Sequence, residues 1–398
     1  MTPKLRFQEF EDSWSQVTIA EAASFRRGSF PQPYNIPQWY DDVNGMPFVQ
    51  VVDVGNDFRL KPKTKQMISE LAMPKSVFVP KGSIVITIQG SIGRIALTQY
   101  DSYVDRTLLI ITEKKLPLDD YFFIIALKKI FDFEKTIAVG GTIKTITKEK
   151  LAKFKFSLPH RSEQQRIGDF IRLVDQKINL LTKKKEALET YKKGLMQKIF
   201  SQELRFKRED GTDYPEWSQI KMSSFLSIPT DDNCFIPSES IVLTVRLHRK
   251  GIVKANVSSA SKLAANYKYR RKGQLIFGKQ NLFNGAIGLV PEEFDGYITS
   301  TDIPSLDIND EIICPEFLDS FFGQESYYKS LEKFAAGSGS KRIHEKTILN
   351  LKLAVPCIEE QQKIVKVIGI INKMANDLKS TLDLNRQFKK GLLQQMFV

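Results

Sequence analysis

The stretch Pro159-His-Arg-Ser-Glu-Gln-Gln-Arg-Ile167 returns 197 positions later as Pro356-Cys-Ile-Glu-Glu-Gln-Gln-Lys-Ile364. At the far ends Lys192-Lys193-Gly194-Leu195 faces Lys389-Lys390-Gly391-Leu392, and the match from residues 159–200 to 356–397 runs without a gap. Self-similarity on this scale fixes the architecture before any motif is weighed. One unit of nearly 200 residues is used twice, and a chain built this way is expected to do one job at two places on a partner.

Inside the repeat the apolar residues keep a heptad. Ile167, Val174, Leu181, Leu188 and Leu195 are seven apart, with Ile171, Ile178 and Ile199 four positions after their neighbours. The second copy offers Ile364, Ile371, Leu378 and Leu392, flanked by Ile368, Leu382 and Met396, with Asn385 at the remaining seventh position. Spacing of 3 and 4 sustained over five heptads predicts a coiled-coil seam. A domain between the two helices makes antiparallel pairing the natural solution, with Asn385 able to fix the register. Ser162 with Gln165 has the pattern of a capping box, and Gly194 and Gly391 weaken or open the last turns. About 38 residues at roughly 1.5 Å each give a rod of roughly 57 Å. The plainer alternative is that each helix packs only on its own domain.

The predicted fold is therefore α+β, with two similar β-rich globular domains alternating with two long paired helices. The expected boundaries are 1–158, 159–201, 202–355 and 356–398. Short strands are predicted from Phe48 to Val54, Ser83 to Ile88, Thr107 to Thr112, Ile241 to Val245, Gln274 to Phe277 and Gly285 to Val290, punctuated by turn residues. A helix near Asp119–Phe131 precedes Gly140-Gly141-Thr142. The equivalent helix, Pro315–Leu331, precedes Gly337-Ser338-Gly339 at the same offset.

At 398 residues, 42% hydrophobic and 11% aromatic, the chain has enough apolar mass for packed cores. No apolar run reaches the roughly 20 residues of a bilayer span, the start does not resemble a signal peptide, and three scattered cysteines do not make a disulfide framework. A cytoplasmic protein with no membrane partner is expected. Lys and Arg number 59 against 46 Asp and Glu, a net charge of +13. That excess draws the chain to polyanions, and without an interfacial amphipathic helix, nucleic acid is favoured over membrane.

Catalytic signatures are thin. Gly273-Gln-Leu-Ile-Phe-Gly278-Lys279-Gln280 has the glycine and lysine spacing of a phosphate-binding loop. Gln280 replaces the magnesium-holding Ser/Thr, and the inner residues look like a buried strand. The three histidines are isolated from the cysteines, so no metal site is expected. No adenine-methyltransferase tetrapeptide (Asn/Asp-Pro-Pro-aromatic) is present. No catalytic residue is assigned to this chain.

Binding features are easier to find. Thr87, Gln89, Ser91 and Arg94 crowd one expected loop tip, and Lys279, Gln280, Asn281 and Asn284 the matching one. Arg and Lys suit guanine edges and Asn or Gln suit adenine, as major-groove readout requires. Thr142 and Lys144 after Gly140-Gly141, and Ser340, Lys341 and Arg342 after Gly337, set backbone N–H groups beside cations, a phosphate-holding arrangement. Arg26-Arg27 and Arg270-Arg271 add positive charge.

Taken together, the arrangement resembles the specificity subunit of type I restriction-modification systems over the whole chain. The carriers are Pro159 with Glu163-Gln164-Gln165-Arg166-Ile167, and Pro356 with Glu360-Gln361-Gln362-Lys363-Ile364. Supporting them are Gly140-Gly141-Thr142-x-x-x-Ile146, Lys81-Gly82-x-Ile84 followed by Gly90-Ser91-Ile92-Gly93, and the twin Lys-Lys-Gly-Leu ends. Gly337-Ser338-Gly339-Ser340 departs from the family's Gly-Thr/Ser loop. The resemblance implies a non-catalytic adaptor on double-stranded DNA. Each target-recognition domain would read one half of an asymmetric bipartite sequence, and the helices would set the spacing and dock two methyltransferase (modification) subunits. S-adenosylmethionine, ATP and magnesium would then belong to partner subunits, with restriction subunits supplying ATP-driven translocation and cleavage. The competing reading is a coiled-coil scaffold or general nucleic-acid-binding protein without restriction partners.

Overall fold

The computed structural model describes residues 2–137, 146–230, 240–256, 266–337 and 339–397. The chain forms two compact units, Met1–Lys183 with Ser380–Val398, and Lys184–Lys379. Each unit thus holds one globular domain, the start of the long helix that follows it, and the end of the other long helix.

In the first unit ten short strands, rich in Val, Ile, Leu and Phe, suit a pleated buried surface. They are β1 Ser15–Thr18, β2 Ala23–Arg27, β3 Met46–Val49, β4 Gln66–Ile68, β5 Val77–Val79, β6 Ile84–Thr87, β7 Ile95–Leu97, β8 Ser102–Val104, β9 Leu108–Lys114 and β10 Lys155–Leu158. They make an antiparallel sheet β2-β9-β6-β7, a mixed sheet β4-β3-β8-β5 in which β3 and β8 run parallel, and the pair β1-β10. The second unit has β11 Ser218–Lys221, β12 Leu226–Ser227, β13 Leu243–Val245, β14 Ile252–Lys254, β15 Tyr267–Tyr269, β16 Leu275–Phe277, β17 Ile287–Leu289, β18 Ile298–Ser300, β19 Ser305–Ile308 and β20 Lys352–Val355. Its four-stranded sheet runs β12-β19-β16-β17, and β11 pairs β20. Both arrangements are those of the first unit with every label raised by ten. The duplication therefore reaches the main sheet, where the sequences have drifted apart. The remaining strands differ: β13-β14 and β15-β18 are separate two-stranded ribbons.

Two expectations are corrected. The strand predicted from Phe48 to Val54 stops at Val49, because buried Asp53 accepts from the N–H groups of Gln50 at 2.9 Å and Lys65 at 2.8 Å, curling Val51–Asp53 into a 3₁₀ turn. The helix expected over Pro315–Leu331 breaks at Gly323 into Pro315–Phe322, Glu325–Ser330 and a 3₁₀ turn.

The central helix spans Arg161–Phe200 and the C-terminal helix Ile358–Gln395. Since the central helix begins at Arg161, Ser162 lies inside its first turn. Gln165 is exposed and the expected capping box is not formed. The heptad positions behave as a seam: every residue of the 3-4 series from Ile167 to Ile199, and of its twin from Ile364 to Met396, is buried or half-buried. In the first unit Ile167, Ile171 and Val174 share a core with Leu392, Met396 and Phe397. In the second, Ile199 and Leu195 share one with Ile364 and Ile368. Each helix therefore starts against the end of the other, which is antiparallel pairing. Leu181, Leu188 and Leu378 are half-buried along the same seam, as is Asn385, whose amide donates to the Thr381 carbonyl of its own helix at 2.7 Å.

The Glu-Gln-Gln element has a structural job. Glu163, almost fully buried, accepts from Arg6 through Nε and Nη2 (2.8 Å each) and from the Trp14 indole at 3.2 Å. Gln164 donates to the carbonyls of Pro117 and Pro159 and accepts from the Asp119 N–H at 2.9 Å. The second unit repeats the latch. Glu360 takes Arg205 and Trp217, while Gln361 takes the carbonyls of Ile312 and Pro356 and the Cys314 N–H at 2.7 Å. A bidentate carboxylate–guanidinium pair fixes direction as well as distance. Each domain is therefore clamped in orientation to the first turn of the helix that follows it.

Candidate nucleic-acid interface

In the first unit β2 and β6 both pair with β9, and Leu109 of β9 stands opposite Arg27 on one side and Ile86 on the other. The exposed Arg26 and Arg27 therefore reach the same end of the sheet as the β6–β7 turn. Gln89 and Ser91 are exposed at that turn. Thr87 is not a surface residue: it is fully buried, its hydroxyl donating to the Ser91 carbonyl at 2.6 Å and accepting from the Arg94 N–H at 2.9 Å. It shapes the turn and is removed from the contact set. Arg94 is half-buried with Nη1 3.4 Å from the Val54 carbonyl. Gly93 sits at φ +74, where an added Cβ would lie 2.7 Å from Phe131, so a side chain there is excluded by conformation and by space.

In the second unit Lys279, Gln280, Asn281 and Asn284 form the matching β16–β17 turn. Gln280 is exposed, Asn281 and Asn284 are half-buried and bonded to each other at 3.2 Å, and Lys279 pairs with Glu345 at 3.2 Å. The phosphate-loop spacing there is confirmed as a coincidence of sequence, since Leu275–Phe277 is a fully buried strand. Arg270 is corrected as well. It is 3% exposed, its guanidinium donating to Thr299, Ser305 and the Ile303 carbonyl, and burial pulls its pKa down to about 10. It holds β15, β18 and β19 together and offers nothing to a partner. Arg271 is exposed but precedes β16, so it lies at the opposite end of that strand from Lys279.

Ile146 and Ile343, which follow the glycine-rich stretches in sequence, are bonded to these turns. The Ile343 N–H donates to the Lys279 carbonyl at 2.9 Å, and at the same place in the first unit the Ile146 N–H donates to the Ile88 carbonyl at 3.4 Å. Ser340, Lys341 and Arg342 are thereby brought against the Lys279 turn, with Lys341 paired to Glu332 and Arg342 to Asp302. Thr142 and Lys144 lie outside the described residues. A phosphate arriving here would compete with carboxylates already holding the cations, a modest cost for exposed pairs.

The latch residues Arg6, Trp14, Arg205 and Trp217 are visible in the sequence as a repeat, Leu-Arg-Phe at 5–7 and 204–206 each followed by a Trp, but their role as partners of Glu163 and Glu360 is not. Sequence reasoning missed an outward stripe on the long helices. Leu173, Leu180 and Tyr191 on one, and Ile370, Met374, Leu384 and Phe388 on the other, are exposed apolar residues. Leu173 and Tyr191 match Ile370 and Phe388 at the 197 offset, whereas Leu180, Met374 and Leu384 stand where the other copy has Asp377, Lys177 and Ala187. Among the described residues no group of His, Cys, Asp and Glu could hold a metal ion, and no helix is long and apolar enough to cross a membrane.

Residues 12–190 and 197–384 each match the model of the type I restriction modification DNA specificity domain. The MjaVIII specificity subunit of Methanocaldococcus jannaschii is 23% identical over 80% of this chain and 79% of its own length. The MjaIX specificity subunit of the same organism is 21% identical over 71% and 70%. Among solved structures, the type I restriction-modification S subunit from M. genitalium superposes with a TM-score of 0.61 at 17% identity, covering 100% of this chain and 99% of that one.

Proposed function

The chain belongs to the type I restriction modification DNA specificity family in both of its domains, and from that premise we propose that its two domains read the two halves of an asymmetric bipartite DNA target. The observation that carries this reading is sameness of frame with difference of tip. Main-sheet order, glycine-loop anchor and helix latch are repeated. The exposed residues presented at the equivalent turn are Gln89 and Ser91 in one domain and Gln280, with half-buried Asn281 and Asn284, in the other. Amide and hydroxyl groups of this kind discriminate base edges, while the cations beside them position the backbone.

The central helix, 40 residues long, extends about 60 Å at the standard rise. That exceeds one duplex turn of about 34–36 Å. In this reading the antiparallel pair sets the gap between the half-sites, and linking the readers raises the effective concentration for the second contact. The outward apolar residues support docking of two modification subunits, since scattered surface Leu and Phe are ordinary but exposed apolar residues that recur at the repeat offset, as Leu173 with Ile370 and Tyr191 with Phe388 do, are not. S-adenosylmethionine would belong to those subunits, and ATP with magnesium to restriction subunits. The chain itself supplies recognition and geometry.

The test exchanges residues 1–158 for the first domain of another family member and selects bound sequences from a random duplex pool. One half of the recovered sequence is expected to change and the other to stay. A change in both halves, or in neither, contradicts separate reading. A scaffold without restriction partners would also fail to form a stoichiometric complex with a co-expressed modification subunit.

A further inference from the structure

The β16–β17 turn of the second domain is braced by the β13–β14 ribbon, one of the features in which the two domains differ. The loop of that ribbon closes with the Lys250 N–H donating to the Leu247 carbonyl at 3.3 Å. The two residues inside it, His248 and Arg249, both have positive φ, 57 and 56. Asn and Gly suit such a turn, and longer side chains are strained in it. The tip is held in that shape by what it touches. The His248 N–H donates to the Asn284 carbonyl at 2.8 Å and the Arg249 N–H to the Gly285 carbonyl at 2.9 Å. The half-buried Arg249 guanidinium donates through Nη1 to the Ile287 carbonyl. Through Nη2 it donates to the Asp319 carboxylate at 2.6 Å and the Asp319 carbonyl at 3.2 Å.

Ile287 opens β17, at the exit of the turn that carries Gln280, Asn281 and Asn284. Asp319 lies on the helix Pro315–Phe322, and the N–H of Cys314, just before that helix, is the one bonded by the latch residue Gln361. One side chain thus joins the turn to the helix that the latch fixes. A second support is shared by both domains. Gly285, at φ 76, would place an added Cβ 3.1 Å from Tyr328, and Tyr328 is the counterpart of Phe131 at the repeat offset of 197. Phe131 stands against Gly93 of the first domain's turn in the same way. The arginine strut is not shared. In the first domain the turn's own Arg94 reaches out to the Val54 carbonyl at 3.4 Å.

We infer that Arg249 is a positioning residue for sequence reading by the second domain, holding the Asn281–Gly285 turn at a fixed attitude to the latched helix. It acts through the backbone of Asn284, Gly285 and Ile287. Both of its terminal nitrogens are committed inside the domain, so its charge is not what meets DNA. Amide side chains discriminate base edges only when their donors and acceptors arrive within about 0.5 Å of the productive geometry. A turn free to rock between β16 and β17 would bind with less selectivity. The inference rests on the proposed reading of one half-site by this turn.

The test uses the full chain with Arg249→Asn, which suits the left-handed backbone and removes the strut, and with Arg249→Lys, whose single ammonium keeps the charge but lacks the guanidinium fork. Amide hydrogen exchange is read first. Residues 281–287 should exchange at least tenfold faster in Arg249→Asn and by a smaller factor in Arg249→Lys, with the first domain unchanged. Binding is then compared on duplexes with single-base changes in each half of the sequence selected by the parent chain. The second domain's half is the one that persists when residues 1–158 are exchanged. Discrimination there should fall at least fivefold in Arg249→Asn and be partly restored in Arg249→Lys, while the other half stays within twofold. Unchanged exchange, unchanged discrimination, or equal loss in both halves would overturn the assignment. A parent chain that selects no second half-site would contradict the proposed reading itself, and faster exchange would then show Arg249 bracing a turn without that use.

Discussion

Glu163 and Glu360 are nearly inaccessible carboxylates whose charges are balanced by Arg6 and Arg205, and their partners come from about 155 residues away in sequence. Breaking such a pair leaves an uncompensated guanidinium in a partly buried place, worth about 3–5 kcal/mol. Glu163→Gln should therefore lower the unfolding free energy of the first unit by that order, read as a fall in its urea midpoint. An unchanged midpoint would mean the pair contributes only orientation. Gly168 and Gly369 are helical glycines, one in the first half of each long helix, with opposite surroundings. A Cβ on Gly168 would fall 2.4 Å from Asp119 Oδ1, whereas one on Gly369 meets nothing within 4 Å. Gly369→Ala is expected to stabilise by about 0.5–1 kcal/mol through helix propensity, and Gly168→Ala to destabilise, both read by chemical denaturation. The motif containing Glu163 was legible in the sequence as a repeated string, but not as a latch. Its partners are single residues at the far end of each domain, and nothing in a string of letters shows which distant arginine will fold back.

At the scale of elements the heptads were the most readable feature, because a 3-4 pattern over five heptads has few other outcomes. The strands were readable in place but not in extent. Phe48–Val54 is apolar but for Gln50 and Asp53, and the two backbone N–H groups captured by the Asp53 carboxylate end the strand early. The outer stripe went unnoticed because the seam accounted for so many apolar residues that the remaining ones looked incidental. Replacing Leu180 and Leu384 by Glu tests the stripe. Both are about two-thirds exposed, so the unfolding free energy should move by less than about 0.5 kcal/mol. Co-purification with a modification subunit should fall at least tenfold. Retained co-purification would place docking elsewhere. Deleting one heptad from each long helix, in register, should shift the tolerated gap in the DNA target and leave the bases unchanged.

For the whole molecule, the duplication is the feature from which the rest follows. It sets a main sheet of identical order in each unit, an identical latch, and an antiparallel helix pair in which each unit borrows the end of the other's helix. Candidate contact residues were legible only as loop tips. Gln89, Ser91 and Gln280 are exposed where expected, while Thr87 and Arg270 are buried. Polar type does not reveal burial, and a hydroxyl that closes a turn carries the same letter as one that faces a base. Mapping methylated adenines in DNA from cells carrying and lacking the gene tests the pairing of two unlike readers most directly. The account predicts gene-dependent methylation at a sequence of two different half-sites separated by a gap of fixed length. A single uninterrupted motif, two identical half-sites, or a gap of variable length would contradict it.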